Sequence, residues 1–340
     1  MPLNVVVAFA LAPELIRQIE AVSPDVRVWT QAWSADELAE APRRWGSQLQ
    51  ARADMAQLRP ALAEAEVIFC MWAALAQRLG DVRAAAPKLR WVQSTAAGAD
   101  EITPDLVKSG ITFTLASGVA STTIAEFALT LMLMFQKGWP AFFRQQQRHD
   151  FSRTVPGELA GKTVGIVGVG HIGAEVARLT RDLGCRVLGM RRSVVADDPL
   201  LDEAVPPGKL DYLLQESDYV VLAAPLTPET RGLIGEAQLR AMKSSAYLIN
   251  VARGPLVDEA ALVHALLEGW IAGAGLDVFA QEPLPPESPL WDLDNVIMSP
   301  HASAGTEAYY ERATAVFIDN LRRFIAGQPL RYVVDPERGY

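Results

Sequence analysis

The feature that most constrains the fold of this 340-residue chain is a glycine-rich segment, Gly-Val-Gly-His-Ile-Gly at residues 168–173. A strand-like run of mostly β-branched residues, 163–167, stands directly before it, and a helix-like segment follows it. In this context Gly168 allows a tight turn, Gly170 allows a pyrophosphate to approach the backbone, and Gly173 allows the helix to pack on the strand. Free amides at the start of the helix then suit the phosphate charge. The segment therefore predicts a dinucleotide-binding unit.

Strand-like and helix-like segments alternate along the chain, as is typical of α/β folds with parallel sheets. Strands are predicted at 5–9, 67–70, 91–93, 111–113, 163–167, 187–190, 219–222, 247–250, 274–277 and 296–298. Helices are predicted at 35–65, 121–137 and 307–326. This pattern predicts two doubly wound, Rossmann-like or flavodoxin-like, parallel-sheet domains with a cleft between them. We expect a discontinuous substrate-binding domain, 1–117 plus 307–340, and a dinucleotide-binding domain, 118–306.

The bulk composition excludes several classes of protein. The net charge of −9 argues against a nucleic-acid binder, which usually shows a basic face. No uncharged apolar run of about 18 residues is present, so no membrane span is predicted. The two cysteines, Cys70 and Cys185, cannot build a disulfide framework or a zinc site, and we expect both to be reduced and buried. A cytoplasmic protein without a metal ion is the resulting expectation.

The residues after the second strand of the dinucleotide unit bear on which cofactor is bound. An NAD-preferring fold commonly has an acidic residue about 20 positions past the glycines, where it bonds the ribose 2′-hydroxyl. This chain instead has Arg191, Arg192 and Ser193. A guanidinium group pairs with a 2′-phosphate, often through two parallel hydrogen bonds. The sequence therefore predicts NADP(H), with NAD(H) as the alternative cofactor.

Three residues further along indicate an oxidoreductase acting on 2-hydroxyacids. Arg253 lies in Val-Ala-Arg-Gly-Pro, Glu282 in Gln-Glu-Pro-Leu and His301 in Ser-Pro-His-Ala-Ser. Arginine keeps its charge at every working pH and offers a planar donor fork to a carboxylate. Histidine, with a reference pKa of about 6.5, gives or takes a proton near neutrality. A neighbouring carboxylate favours its imidazolium form.

At these residues the chain resembles the D-isomer-specific 2-hydroxyacid dehydrogenases, in particular glyoxylate/hydroxypyruvate reductases. The matching motifs span nearly the whole chain, at 94–100, 161–168, 225–232, 250–254, 275–279 and 299–301. The resemblance implies that Arg253 binds the substrate carboxylate and polarises the 2-oxo group. It also implies that His301 is the acid/base and that Glu282 hydrogen-bonds and tunes it.

The same resemblance assigns further binding residues. Backbone amides of Ala97 and Gly98 would grip the substrate carboxylate, and Asp277 would bond the nicotinamide carboxamide. The full predicted cofactor-binding set is Gly168, Gly170, His171, Ile172, Gly173, Arg191, Arg192, Ser193, Pro225, Thr227, Asn250, Ala252, Asp277 and His301. One departure is Ala96, where many members have glycine. If that position needs a positive φ, alanine would be strained there.

The resulting interpretation is an NADP-preferring enzyme that reduces a small 2-oxoacid, such as glyoxylate or hydroxypyruvate, to the D-2-hydroxyacid. We also expect a homodimer, for which the apolar helix at 121–138 offers a surface. Met71, Trp72, Tyr309 and Tyr310 either shape the substrate pocket or belong to the core. One alternative is formate dehydrogenase, which carries glutamine where Glu282 stands. The other is a dinucleotide-sensing scaffold, resembling the corepressors of this fold, without metabolic turnover.

Overall fold

The computed structural model of the chain describes residues 2–40, 55–71, 75, 82–98, 110–192 and 198–335. The chain forms two compact units. The first comprises residues 1–120 and 305–340, and the second comprises residues 121–304. Each unit is built around its own parallel sheet. The predicted α/β class with two parallel-sheet domains is thus confirmed.

The first unit contains a five-stranded sheet in the order β2-β1-β3-β4-β5. Its strands are β1 (Leu3–Val7), β2 (Val26–Trp29), β3 (Val67–Cys70), β4 (Trp91–Ser94) and β5 (Thr112–Thr114). Its helices are Pro13–Glu20, Ala35–Glu40, Met55–Glu64, Val82–Ala85 and Tyr309–Ile325. All the strand pairs are parallel. This strand order is that of the flavodoxin-like doubly wound sheets.

The helix Tyr309–Ile325 returns from the far end of the chain to cover this first sheet. Phe317 stacks on Phe69, with ring centroids 4.4 Å apart, and on Trp91 at 5.2 Å. Next to these rings, Nδ2 of the fully buried Asn320 donates to Oε1 of Gln93 at 3.0 Å. Buried amides need such partners, because an unpaired one costs about 1–3 kcal/mol. Rings and amides together fasten the two stretches of the first unit to each other.

The second unit contains a seven-stranded sheet in the order β12-β11-β10-β9-β6-β7-β8, again all parallel. Its strands are β6 (Thr163–Val167), β7 (Arg186–Met190), β8 (Glu203–Val205), β9 (Tyr219–Leu222), β10 (Tyr247–Asn250), β11 (Gly273–Leu276) and β12 (Val296–Met298). Its α-helices are Ser121–Lys137, Trp139–Gln147, His171–Asp182, Leu210–Glu216, Glu236–Ala241 and Glu259–Leu267. The strand order reverses between β6 and β9. In such sheets ligands bind beyond the carboxyl ends of the strands, at this reversal.

Two strands escaped the sequence prediction, and both are edge strands. β2 closes one side of the first sheet, and β8 closes one side of the second. Their side chains alternate between buried and solvent-facing positions or are only half-buried, so neither shows a continuous apolar run. Within the predicted helical stretch 35–65, the structure has helices Ala35–Glu40 and Met55–Glu64, and residues 41–54 lie outside the described part of the chain.

The apolar helix Ser121–Lys137 packs inside the second unit, against the helix His171–Asp182. It buries Leu131, Met132 and Phe135, whereas Leu133 and Met134 are only half-buried. No helix in the described part of the chain is long and apolar enough to cross a membrane. Cys70 and Cys185 are both free and buried, as predicted.

Candidate active site

The glycine segment forms a tight turn between β6 and the helix His171–Asp182. Gly168 has a φ of +103°, and a Cβ there would lie 2.5 Å from the backbone nitrogen of Ala224 on the neighbouring strand connection. A Cβ on Gly173 would lie 2.1 Å from the carbonyl oxygen of Gly168. A Cβ on Gly170 would meet nothing within 4 Å, so the chain leaves open space at that point. The segment thus has a closed turn and an open face, which fits the close approach of a dinucleotide pyrophosphate. His171 is exposed at the helix start, and Ile172 is half-buried behind it.

The turn that follows β9 lies beside this segment, because the amide of Ala223 donates to the carbonyl of Val167 at 2.9 Å. The hydroxyl of Thr230 accepts from the amide of Thr227 at 2.8 Å and donates to the carbonyl of Pro225 at 2.7 Å. This hydroxyl therefore closes the turn that carries both predicted cofactor-binding residues. Thr227 is buried, and Pro225 is exposed.

The arginine pair lies at the carboxyl end of β7. Arg191 is half-buried, and its Nη2 lies 2.8 Å from Oδ2 of Asp198. Arg192 is exposed. Ser193 lies outside the described residues. The predicted set at this strand end therefore contains one guanidinium group already paired with a carboxylate, which the sequence alone did not indicate.

The loop after β10 presents Arg253. The buried Asn250 accepts from the amide of Ala252 at 3.1 Å and donates to the carbonyl of Arg253 at 3.0 Å. Nη1 of Arg253 donates to the carbonyl of Ala252 at 2.7 Å. Gly254 follows, and a Cβ there would lie 1.9 Å from the backbone carbonyl of Phe279. Asn250 and Gly254 therefore fix the backbone on either side of Arg253, a role that sequence reasoning did not assign to them.

Asp277, at the end of β11, organises the segment that carries His301. Asp277 is fully buried, and its Oδ1 accepts from the hydroxyl of Ser299 and the amide of Ala302, each at 2.7 Å. The amide of Ser303 donates to both carboxylate oxygens, at 3.2 and 3.1 Å. The amide of His301 donates to the carbonyl of Asp277 at 2.8 Å, and His301 has a φ of +50°. A positive φ is uncommon outside glycine, so these bonds hold an unusual backbone conformation in place.

His301 and Glu282 form a hydrogen-bonded pair. Nδ1 of His301 lies 2.7 Å from Oε2 of Glu282, and Oε1 of Glu282 accepts from the amide of Phe279 at 3.0 Å. An ionised carboxylate only accepts hydrogen bonds, so Nδ1 carries the proton in this pair. Nε2 is then an acceptor in the neutral ring and a donor in the imidazolium. This arrangement suits a group that moves a proton through Nε2 in either direction.

A cavity of about 600 Å³ adjoins this pair within the second unit. Its apolar wall includes Leu284, Trp291, Met298 and Pro300, and His301 and Glu282 supply its charged side. Trp291 remains more than half exposed.

The predicted amide donors Ala97 and Gly98 belong to the first unit, in the segment after β4. Ala97 is exposed there, and the segment is anchored by the hydroxyl of Tyr309, which donates to the carbonyl of Thr95 at 2.6 Å. Ala96 is not among the residues with positive φ, so its departure from glycine brings no backbone strain. Tyr309 itself is buried, which favours the core interpretation of this residue.

Three other residues, besides Tyr309, are candidates for the substrate pocket. Met71 is half-buried at the end of β3, and Tyr310 is half-buried and stacks on Phe9 at 5.4 Å. Trp72 lies outside the described residues. The structure thus gathers Arg253, Glu282 and His301 with the cofactor-binding candidates in one unit, and places Ala97 and Gly98 in the other.

Comparison with known proteins identifies the family. Residues 129–303 match the D-isomer specific 2-hydroxyacid dehydrogenase, NAD binding domain. The chain belongs to this family. As a 2-hydroxyacid dehydrogenase it is an oxidoreductase, and the family resemblance drawn from the sequence motifs is confirmed.

Two curated relatives of this dehydrogenase differ in the activity for which they are named. A glyoxylate reductase of Korarchaeum cryptofilum is 41% identical over 261 residues, which cover 73% of this chain and 76% of the relative. A glycerate dehydrogenase of Methylorubrum extorquens is 35% identical over 258 residues, covering 73% and 79%.

Solved structures extend the likeness over the whole dehydrogenase chain. A D-isomer specific 2-hydroxyacid dehydrogenase of Xanthobacter autotrophicus in complex with NADPH has a TM-score of 0.80 and 31% identity, covering 100% of both chains. An NADPH-dependent glyoxylate/hydroxypyruvate reductase of Sinorhizobium meliloti in complex with NADP has a TM-score of 0.79 and 28% identity, covering 99% of each chain.

Proposed function

We propose that this dehydrogenase reduces a small 2-oxoacid, such as glyoxylate or hydroxypyruvate, to the D-2-hydroxyacid, with a preference for NADP(H). The observation that carries the proposal is the 2.7 Å contact between Nδ1 of His301 and Oε2 of Glu282. It leaves Nε2 as the ring atom that exchanges a proton. The glyoxylate reductases among the relatives support the choice of substrate class.

In the proposed reduction, His301 in its imidazolium form gives the proton on Nε2 to the 2-oxo oxygen. Glu282 stabilises that imidazolium through the bond at Nδ1, and the ring returns to neutral after the transfer. In the reverse direction the neutral Nε2 takes the proton from the 2-hydroxyl. The nicotinamide cofactor, when bound, supplies or accepts the hydride at carbon 2.

Arg253 has a complementary role in this proposal. Its guanidinium stays charged at every working pH, so it holds the substrate carboxylate and polarises the 2-oxo group. Asn250 and Gly254 keep its backbone in place, as their contacts indicate. The backbone amides of Ala97 and Gly98 remain predicted hydrogen-bond donors to the substrate carboxylate. The assignment of substrate binding to the first unit also remains a prediction.

The residues of the second unit fit a dinucleotide. The open space at Gly170 gives a pyrophosphate access to backbone amides, and the helix His171–Asp182 begins at that point. The carboxylate of the buried Asp277 accepts hydrogen bonds from the segment that carries His301. We therefore assign Asp277 a positioning role, in addition to the predicted bond to the nicotinamide carboxamide. Arg192, next to the end of β7, supports NADP(H), as do the NADP-containing relatives.

The homodimer and the cytoplasmic location stay predictions. In favour of an interface between two copies, the described surface shows Phe151 at 93% exposure and Val155 at 98%. Both belong to the segment after the helix Trp139–Gln147. Apolar side chains this exposed are commonly covered by a partner.

The deciding experiment measures oxidation of NADPH, and separately of NADH, with glyoxylate, hydroxypyruvate, pyruvate, 2-oxoisocaproate and phenylpyruvate. We expect turnover of the small acids and a lower KM for NADPH than for NADH; phenylpyruvate should be a poor substrate if Met71, Trp72 or Tyr310 narrows the pocket. A clear NADH preference would contradict the cofactor assignment. If folded protein binds NADPH but turns over no member of the panel, the sensing scaffold becomes the better interpretation.

A further inference from the structure

The two arginines that follow β7 lie in different surroundings. Oδ2 of Asp198 lies 2.8 Å from Nη2 of Arg191, and the Asp198 side chain is only 8% exposed. The other oxygen of Asp198 accepts from the amide of Leu200 at 3.1 Å, so the backbone fixes the position of the carboxylate. Arg192 is exposed. One of the two positive charges at this strand end is therefore balanced by a buried negative charge.

The atoms of Arg191 that are already engaged limit what else it can bind. An arginine grips a phosphate best with two parallel N–H groups, either Nε with Nη2 or Nη1 with Nη2. Nη2 is held by Asp198. Nε is buried and has no hydrogen-bond partner among the described residues, so an anion from solvent does not reach it. The Nε–Nη2 fork is therefore closed to a phosphate, and the outer fork belongs to a guanidinium whose charge Asp198 already balances through one N–H of Nη2.

Arg191 nevertheless lies next to the predicted dinucleotide site. The carbonyl of Met190, directly before it, accepts from the amides of Gly168 at 2.8 Å and Val169 at 3.2 Å. Arg191 is thus one residue away from the strand end to which the glycine turn is bonded.

Arg192 follows the carboxyl end of β7 by two residues, at the edge where such sheets bind their ligands. The pKa of Glu229, in the turn after β9, is lowered first by the hydroxyl of Thr227 and also by the positive charge of Arg192. That turn joins the glycine segment at the reversal of strand order. The positive charge of Arg192 therefore acts on a group in the turn beside the predicted dinucleotide site.

We propose that Asp198 determines the cofactor selectivity of this enzyme by neutralising Arg191, so that Arg192 rather than Arg191 reads a 2′-phosphate. NADP(H) is then preferred only modestly, and NAD(H) remains a usable cofactor. This inference rests on the dinucleotide site of the proposed function but not on its 2-oxoacid substrate.

The test is calorimetric binding of 2′,5′-ADP and of 5′-AMP, which differ only in the 2′-phosphate. We expect Asp198→Asn to bind 2′,5′-ADP roughly threefold to tenfold more tightly than the native protein, the scale of one freed charge. Its affinity for 5′-AMP should not change. Arg192→Met should lose about tenfold or more for 2′,5′-ADP. The double variant Arg191→Met/Asp198→Asn, which removes both charges, should stay within about twofold of the native affinity.

A matched control is Asp182→Asn, which removes a carboxylate that lies 3.2 Å from Arg178 in the same unit. It should leave both affinities unchanged. An equal loss of 2′,5′-ADP binding in the double variant and in Arg192→Met would overturn the proposal, since Arg191 would then read the phosphate itself. If Asp198→Asn does not fold, the double variant still decides.

Nucleotide binding and catalysis are separated by this design. Failure of the native protein to bind either fragment would overturn both this proposal and the predicted dinucleotide site. Absence of 2-oxoacid turnover with intact fragment binding would count only against the proposed substrate.

Discussion

Replacing Glu282 by glutamine tests the proposed proton transfer, because it removes one charge and keeps nearly the same shape. Oε1 of Glu282 accepts from the amide of Phe279, and Oε2 faces Nδ1 of His301. Glutamine has a single oxygen for these two positions. If that oxygen serves Phe279, the glutamine NH2 group confronts the protonated Nδ1 of the ring. The imidazolium that donates the proton then loses its counter-charge.

The size of the effect follows from the exposure of the pair. A hydrogen bond to a charged group contributes about 1.5–3 kcal/mol when it is buried, and an exposed ion pair contributes about 0–1 kcal/mol. The side chains of His301 and Glu282 are 44% and 36% exposed, which places the pair between these limits. A loss of about 1–2 kcal/mol corresponds to roughly a 5- to 30-fold fall in kcat.

The assay is steady-state reduction of glyoxylate at saturating NADPH, in H2O and in D2O. For Glu282→Gln we expect the fall in kcat, a KM for glyoxylate within about twofold, and a larger solvent isotope effect as proton transfer becomes slower. Glu287→Gln is the matched control, because Glu287 is an exposed carboxylate in the same segment. Native kcat in Glu282→Gln, or an equal loss in the control, would refute the role of the pair.

Other substitutions test separate parts of the structure. His301→Ala should cut kcat by roughly 10² or more; near-native kcat would remove His301 from the mechanism. Gly254→Ala should lower the thermal midpoint by roughly 3–10 °C, because its methyl group meets the backbone of Phe279; an unchanged midpoint in calorimetry would contradict this contact. Asn320→Ala should reduce the free energy of unfolding of the first unit by about 1–3 kcal/mol, since the amide of Arg331 loses its acceptor and Oε1 of Gln93 keeps only the bond from Thr114. Urea titration followed by tryptophan fluorescence would show it, and a loss below about 0.5 kcal/mol would count against the buried network.

Features that depend on neighbouring residues were predictable from the sequence. The strand, turn and helix around Gly168 and Gly173 are consecutive in the chain, and the structure gives both glycines the close backbone contacts that their spacing indicates. The parallel sheets follow from the same local alternation, apart from the edge strands β2 and β8. Edge strands carry a weak signal because solvent covers part of them.

Features that depend on distant residues were not predictable in the same way. Asp277 accepts hydrogen bonds from residues 22 to 26 positions further along the chain. No local sequence pattern predicts these contacts. Asp198 is only seven positions after Arg191, but no sequence pattern shows that the two side chains meet, so the arginine pair looked like two equal phosphate ligands. In the sequence Gly254 is one residue of a motif. Only the structure shows why a side chain does not fit there, because the backbone of Phe279 occupies the place of a Cβ.

The split of the first unit between the two ends of the described chain has a consequence during synthesis. Strands β1 to β5 leave the ribosome long before the helix that covers them. The hydrogen bond from Asn320 to Gln93 forms only after 227 further positions have been made. At elongation rates of about 5–20 residues per second this delay lasts roughly 10–45 s. During that time Phe69 and Trp91 lack the ring of Phe317, while the inserted unit, 121–304, is being made and reaches completion shortly before Phe317 is added. Newly made chains therefore pass through a stage with one finished unit and one uncovered sheet, which is the stage at which chaperones and aggregation compete.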